Sequence, residues 1–392
     1  MGHLFNCHDV EKTDMVTGSG CYLFDKSGKR FIDFEAGVWC LALGYNHPAV
    51  NQTIYQEGRQ LMHIGYRYTP EHIEETAQAL AEVAGIPDAK STFLNSGSEA
   101  VEFAATIIRK INPHKKLLTL KGSYLSAYGT TGCQPSEDVF QFDWQTCLNC
   151  NKNEQCNQNC RIVQDIPFQD IGGFIFEPGN AHGLIRIPPV GLIKVLSDRI
   201  KDIGGLIAVN EVTTGFGRTA KWCGHHHYQL NPDVISFGKC LGNGYPVSAV
   251  VIRREFAEAI EKTGFRYAQS HQNDPLGCAV ALTVIRTIQA ENLMEKARES
   301  GRYLLDRLKN LASDFSVIKE ARGRGLMTGL EFNPLPDRIT MTNIYHQLLD
   351  AGVLVGVSPG PRFMRFYPSM MISGDDIDAL MEALYQVIGA IR

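Results

Sequence analysis

The sequence predicts an α/β fold, with a mostly parallel sheet in a large domain and a smaller α+β domain beside it. Three observations predict it. Short apolar runs (KLLTLKG, GGFIFEP, GLIAVNEV, DVISFGK, SAVVIRR) recur through the middle of the chain without the polar alternation of a half-wet sheet. Stretches with helical spacing separate several of them, as parallel crossovers require. The 392 residues also exceed what one core usually supports, so a second, smaller unit is expected.

Taken in order, CYLFD and RFIDFEAG flank the polar turn Lys26-Ser27-Gly28-Lys29 and predict a hairpin. Helices are predicted from about Pro48 to Arg59 and from Pro70 to Val83. TFLNSG is a short strand ending in a turn. In SEAVEFAATIIRK, Val101, Ala104, Ala105 and Ile108 fall at i, i+3, i+4 and i+7, one face of a helix. PPVGLIKVLSDRIKDIG is a helix between two apolar runs. A long helical region runs from about Pro275 to Leu311, and the chain closes with a helix from Gly374 to Ile391. No internal repeat occurs, and the one biased stretch is the Cys/Asn-rich segment 145–160.

Composition sets limits on function. Thirty-eight Lys+Arg against 42 Asp+Glu give a net charge of −4, so nothing general draws the chain to nucleic acid or an anionic membrane. No run of eighteen apolar residues predicts a transmembrane helix. The N-terminal MGHLFNCHDVEKTD lacks the apolar core of a secretory signal, and the odd count of 11 Cys argues against a disulfide framework. The cytoplasm is the expected location.

Chemistry is expected at the carboxyl ends of the strands, where open α/β sheets collect ligands. Ser96 and Glu99 form an S-x-x-E capping box, and the Gly97 and Ser98 amides would open the helix as a phosphate site. Asn210-Glu211 puts buried polar groups at the end of GLIAV. Lys239 follows DVISFG directly, where desolvation would depress its pKa as an imine-forming lysine requires.

Together these segments resemble the class III aminotransferases, fold-type I enzymes that use pyridoxal 5′-phosphate (PLP). FDKSGKRFIDFEAG with GYNHPAV, NSGSEA, NEVTTGFGRT, SFGKCLGNGYPVSA and NDPLGCAVAL match five family motifs in order. The resemblance implies a seven-stranded-type sheet in a large PLP-binding domain, 51–290, with 145–160 as an insertion. Residues 1–50 would join a small domain completed by 291–392. It makes Lys239 the Schiff-base lysine and gives the phosphate to the Gly97 and Ser98 amides. Tyr124 would stack on the pyridine ring with Val212 on the opposite face, Glu177 beside it, and Thr213 near its hydroxyl. Ser270 would reach a phosphate across a subunit interface, which implies a homodimer with shared sites. Arg365 would grip a substrate carboxylate bidentately, with Trp39 and His182 shaping the pocket. An amino donor and a 2-oxo acid are the implied partners.

Departures from the family pattern matter as much. Leu125-Ser126 replaces His-Gly, and Thr213 replaces a Gln. In the ornithine and 4-aminobutyrate branches, a Glu that masks the carboxylate arginine stands where this chain has His182. The family Asp opposite the pyridine nitrogen is Asn210, which keeps open a racemase or epimerase, or a PLP-binding protein with little turnover. Separately, Cys147, Cys150, Cys156 and Cys160 form C-x2-C-x5-C-x3-C, four thiols with the count for zinc or an iron–sulfur cluster. His225-His226-His227 reads as a structural turn.

Overall fold

The computed structural model describes the whole chain except residues 1, 2, 4, 6, 9, 12, 133–135, 151–155, 180–183, 359 and 392. Its centre is a seven-stranded sheet. In spatial order the strands are Lys90–Leu94, Ser248–Ile252, Val234–Phe237, Leu206–Asn210, Ile171–Phe176, Lys116–Leu120 and Val139–Phe142. All run the same way except Ser248–Ile252, which is antiparallel to both neighbours.

The apolar runs explain this sheet. Neighbouring residues point to opposite faces, and both faces are covered. Ile175 and Ala208 pack with Val101, Ala104 and Ile108 of the Gly97–Ile111 helix. Phe174, Phe176, Ile207 and Val209 pack on the other side with Ile193, Leu196 and Ile200 of the Val190–Asp202 helix. Each of the larger apolar side chains among them contributes about 1.5–3 kcal/mol by leaving water.

Two smaller sheets flank this core. One orders Met15–Ser19, Tyr22–Asp25, Arg30–Asp33 and Val353–Leu354, so a strand from late in the chain lies parallel on the N-terminal hairpin. The other orders Ile318–Arg324, Met327–Phe332, Phe363–Phe366 and Gly356–Ser358.

Three elements differ from the sequence expectation. The helical region after Pro275 is two helices, Pro275–Ala290 and Leu293–Asp314, because Asn292 takes a left-handed conformation (φ 50°) that breaks the helix. The hairpin gains a third strand, Met15–Ser19, and the main sheet gains the edge strand Val139–Phe142. Both are short and half-exposed, and so lack the long apolar run of the central strands.

Candidate active site

Because all strands but one share a direction, Asn95, Glu177, Asn210 and Gly238 emerge at a single edge of the sheet. The Ser96 hydroxyl accepts from the Glu99 amide at 3.2 Å, and the Glu99 carboxylate accepts from the Ser96 and Asn95 amides at 2.9 and 2.8 Å. This completes the capping box and leaves the Gly97 and Ser98 amides in the first helical turn, where no intrahelical acceptor exists. Gly97 is required by close approach: a Cβ there would lie 2.6 Å from Val212 Cγ1. Gly238 packs against the same pair, which brings three strand ends together.

Hydrogen bonds fasten the loops over this edge. The Ser98 hydroxyl accepts from the Ala127 amide at 2.9 Å, and Glu177 accepts from the Tyr124 amide at 3.1 Å. The Asn210 amide donates to the Tyr124 carbonyl at 3.1 Å, while its oxygen accepts from the Val212 amide at 3.1 Å. One N–H and one lone pair remain for anything placed against Asn210.

Lys239 sits at the mouth of this arrangement with a left-handed backbone (φ 44°). Its Nζ donates to Thr213 Oγ1 at 3.0 Å and lies 4.9 Å from the Trp39 ring centroid. Burial lowers its pKa below the ordinary lysine value, although nearby Cys40, Glu177 and Cys240 pull the other way. A larger share of neutral amine is what a lysine needs to attack an aldehyde.

Trp39 links Lys239 to Arg365, whose Cζ is 5.4 Å from the same ring. Arg365 Nη1 donates to Ser358 Oγ at 2.6 Å, and Nε stands 3.9 Å from Glu35 Oε1 without a hydrogen bond. The turn carrying Trp39 is left-handed at Ala36, Gly37, Val38 and Trp39. Asp33 holds it: its carboxylate accepts the amides of Glu35, Ala36 and Gly37 and the Tyr45 hydroxyl.

Asp33 and Glu35 escaped sequence reasoning. Two acids at i and i+2, closing an apolar strand, were the available signal, because carboxylates there must be buried and need partners.

Other expected residues stand apart or fall outside the description. Ser270 is exposed, beside Gln269, whose side-chain Oε1 accepts from Asn95 Nδ2 at 3.1 Å. His182 lies outside the described residues. His225 belongs to a buried structural knot, its Nδ1 2.8 Å from Glu211 Oε1. Cys147, Cys150, Cys156 and Cys160 border one cavity of about 240 Å³ and are free thiols. Among the described residues, ligand atoms gather within 4.8 Å in Cys223/His225/His226 and His63/His271/Asp274, and the four-cysteine cluster is not such a set. Zinc or an iron–sulfur cluster therefore gains no support here. The spacing supplied the thiols, but among the described residues no three of these sulfurs lie within 4.8 Å of one another.

The edge of the sheet fits a phosphorylated aldehyde cofactor. It offers helix-opening amides for an anion, a glycine where a side chain would intrude, and a lysine inclined to be neutral. Asn210, at the end of the neighbouring strand, adds an uncharged amide to the set.

The family model for class III aminotransferases matches residues 6–388. Human mitochondrial alanine–glyoxylate aminotransferase 2 is 29% identical over 408 residues, covering 92% of this chain and 79% of that protein. An acetylornithine aminotransferase of Methanopyrus kandleri is 32% identical over 326 residues, covering 81% of this chain and 80% of that one. An amine transaminase from an uncultivated Pseudomonas species, solved in its PLP-bound form, superposes with a TM-score of 0.91 at 22% identity. That superposition covers 100% of this chain and 99% of the other and speaks to the fold. With its sheet, its strand-end residues and a family match spanning nearly its whole length, the chain belongs to the class III aminotransferases.

Proposed function

We propose that the enzyme moves an amino group from an amino acid or amine to a 2-oxo acid, with PLP held at the sheet edge around Lys239. The placement of Lys239 carries this reading: a lysine of lowered pKa, held by Thr213, at the end of a buried strand, with Arg365 on the far side of Trp39. PLP, when bound, supplies an aldehyde for the amine and a conjugated ring that takes up the electron pair released at Cα.

The chain's own groups do the rest. The Gly97 and Ser98 amides would hold the phosphate, and Tyr124, Val212 and Glu177 would surround the ring. Lys239 Nζ takes the proton from the donor's Cα and returns it as the amino group changes carrier, with Thr213 Oγ1 steering the amine. Arg365 takes a substrate carboxylate in its planar fork, and Trp39 limits the pocket. Asn210 would face the ring nitrogen, offering it a neutral amide where a carboxylate would carry charge. Donor leaves as oxo compound, and acceptor leaves as amine.

Ser270, exposed in one chain, suits a homodimer in which it reaches the partner's phosphate. The free cysteines suit a reducing cytoplasm. No observation favours the racemase or non-catalytic readings. The cysteine cluster enters no step of this function.

The test is reduction of the holoenzyme with borohydride followed by peptide mapping. The label is expected on Lys239, and a label elsewhere, or none, overturns the assignment.

A further inference from the structure

Arg365 carries a full positive charge, and its side chain is only 14% exposed. A guanidinium so placed needs a counter-charge whether or not a substrate carboxylate is present. The structure supplies one internally. Glu35, equally buried at 14%, puts Oε1 3.9 Å from Arg365 Nε. The same oxygen accepts from Trp39 Nε1 at 3.3 Å, which fixes it on the wall of the pocket.

The pairing is built into the neighbouring strands. Gly356 is the direct cross-strand partner of Arg365, and a Cβ at that position would collide with the Glu35 carboxylate. The missing side chain makes the space that the carboxylate occupies. Yet the pair is loose. The two groups sit beyond hydrogen-bond reach, and among the described residues the buried Nε of Arg365 makes no hydrogen bond. A bound carboxylate has a donor to gain.

We propose that Glu35 is a specificity-determining residue, the built-in occupant of Arg365, which pairs with the guanidinium when the bound amine has no carboxylate and gives way when a substrate brings one. This rests on Arg365 being the carboxylate clamp. Displacement leaves Glu35 buried without its cation, so it takes up a proton as the carboxylate arrives. Burial already pushes its pKa up to about 7, against the opposing pull of Arg365. The charged and titratable groups facing it are Arg365, Asp33, Arg218, Tyr345 and Tyr367. The two phenols are both pushed upward by burial, Tyr345 to about 12, so neither exchanges protons near neutrality. Asp33 is committed to three backbone amides and the Tyr45 hydroxyl.

Propionate, an unreactive carboxylate, is titrated calorimetrically into the PLP-loaded wild type and the Glu35→Gln and Arg365→Gln variants at pH 7, in phosphate and in Tris. Because a competing charge is removed, Glu35→Gln should bind propionate about ten-fold more tightly. Wild type should take up protons on binding, seen as a buffer-dependent heat, and Glu35→Gln should not. With glyoxylate as acceptor, the variant should lower KM for L-alanine and raise KM for 1-phenylethylamine. Glu35→Ala provides the same comparison should Glu35→Gln fold poorly.

If Arg365→Gln abolishes propionate binding while Glu35→Gln matches wild type in affinity and proton uptake, the Glu35 inference falls and the clamp stands. If Arg365→Gln binds propionate as wild type does, the clamp falls, and the inference with it.

Discussion

Asn210 donates its amide hydrogen to the carbonyl oxygen of Tyr124 at 3.1 Å, so the end of one central strand holds the loop that would cover the cofactor ring. An ionised Asp at this position has no hydrogen to give that carbonyl.

Asn210→Asp therefore sets two effects against each other. A carboxylate beside the ring nitrogen stabilises its protonated form, by on the order of 1 kcal/mol or more when a charged hydrogen bond replaces a neutral one. Single-turnover conversion of the cofactor by L-alanine should then rise roughly ten-fold. The Tyr124 carbonyl loses its donor at a cost of about 1–3 kcal/mol, which urea unfolding should show. An unchanged or lower rate would mean that the site is built around Asn.

Lys239 is held where its charge is disfavoured, so it should weaken the cofactor-free fold. A lysine with lowered folded pKa binds fewer protons folded than unfolded, and stability rises with pH through that window. Lys239→Met should stabilise the cofactor-free enzyme at pH 7, with the gain shrinking as pH climbs toward the ordinary lysine range. A gain that stays constant with pH would point to packing instead of charge.

Glu211 is the acceptor for the Thr214 hydroxyl, the Gly224 and His225 amides and His225 Nδ1. Burial raises its pKa, but these bonds outweigh burial and leave it lowered. Its contribution is present above the ordinary glutamate pKa and is lost as pH falls through the lowered one. Glu211→Gln sets an NH2 against converging donors and should cost about 3 kcal/mol at pH 7. That loss should narrow in acid. A cost below about 1 kcal/mol would show the knot to be slack.

The cysteine cluster should behave as thiols. Exposed Cys150 should react first with a thiol reagent, and buried Cys147, its pKa pushed up to about 11 by burial, should react last. Chelator treatment should leave the melting temperature unchanged. Stoichiometric zinc or iron in the purified protein, lost together with stability on chelation, would reverse this.

The central strands were legible in the sequence because they are buried on both faces. Runs such as GLIAV admit little else between two helices, and their polar stops, Asn210 and Lys239, mark the ligand edge. The Gly97–Ile111 helix was equally legible, since spacing and cap agreed. Val139–Phe142 was not, because a four-residue edge strand with one wet side leaves a weak pattern. The turn at Ala36–Trp39 was illegible for another reason. Ala, Val and Trp have no local preference for positive φ, and only Asp33 and the distant packing impose it. Glu35 was missed with it, since nothing in its local sequence says that Arg365, far along the chain, comes to face it.

The parallel pairing of Arg30–Asp33 with Val353–Leu354 has a consequence for how the protein is made. The N-terminal hairpin emerges from the ribosome early, yet its outer edge is covered only after nearly the whole chain has been synthesised. Until then it offers unpaired backbone to any passing strand, the hazard that open sheet edges bring. The pairing of Glu35 with Arg365 forms late for the same reason, since the two are far apart in the chain and nonlocal contacts close slowly. A newborn chain thus has its sheet edge and Lys239 before it has that pair, which is among the last contacts of the molecule to exist.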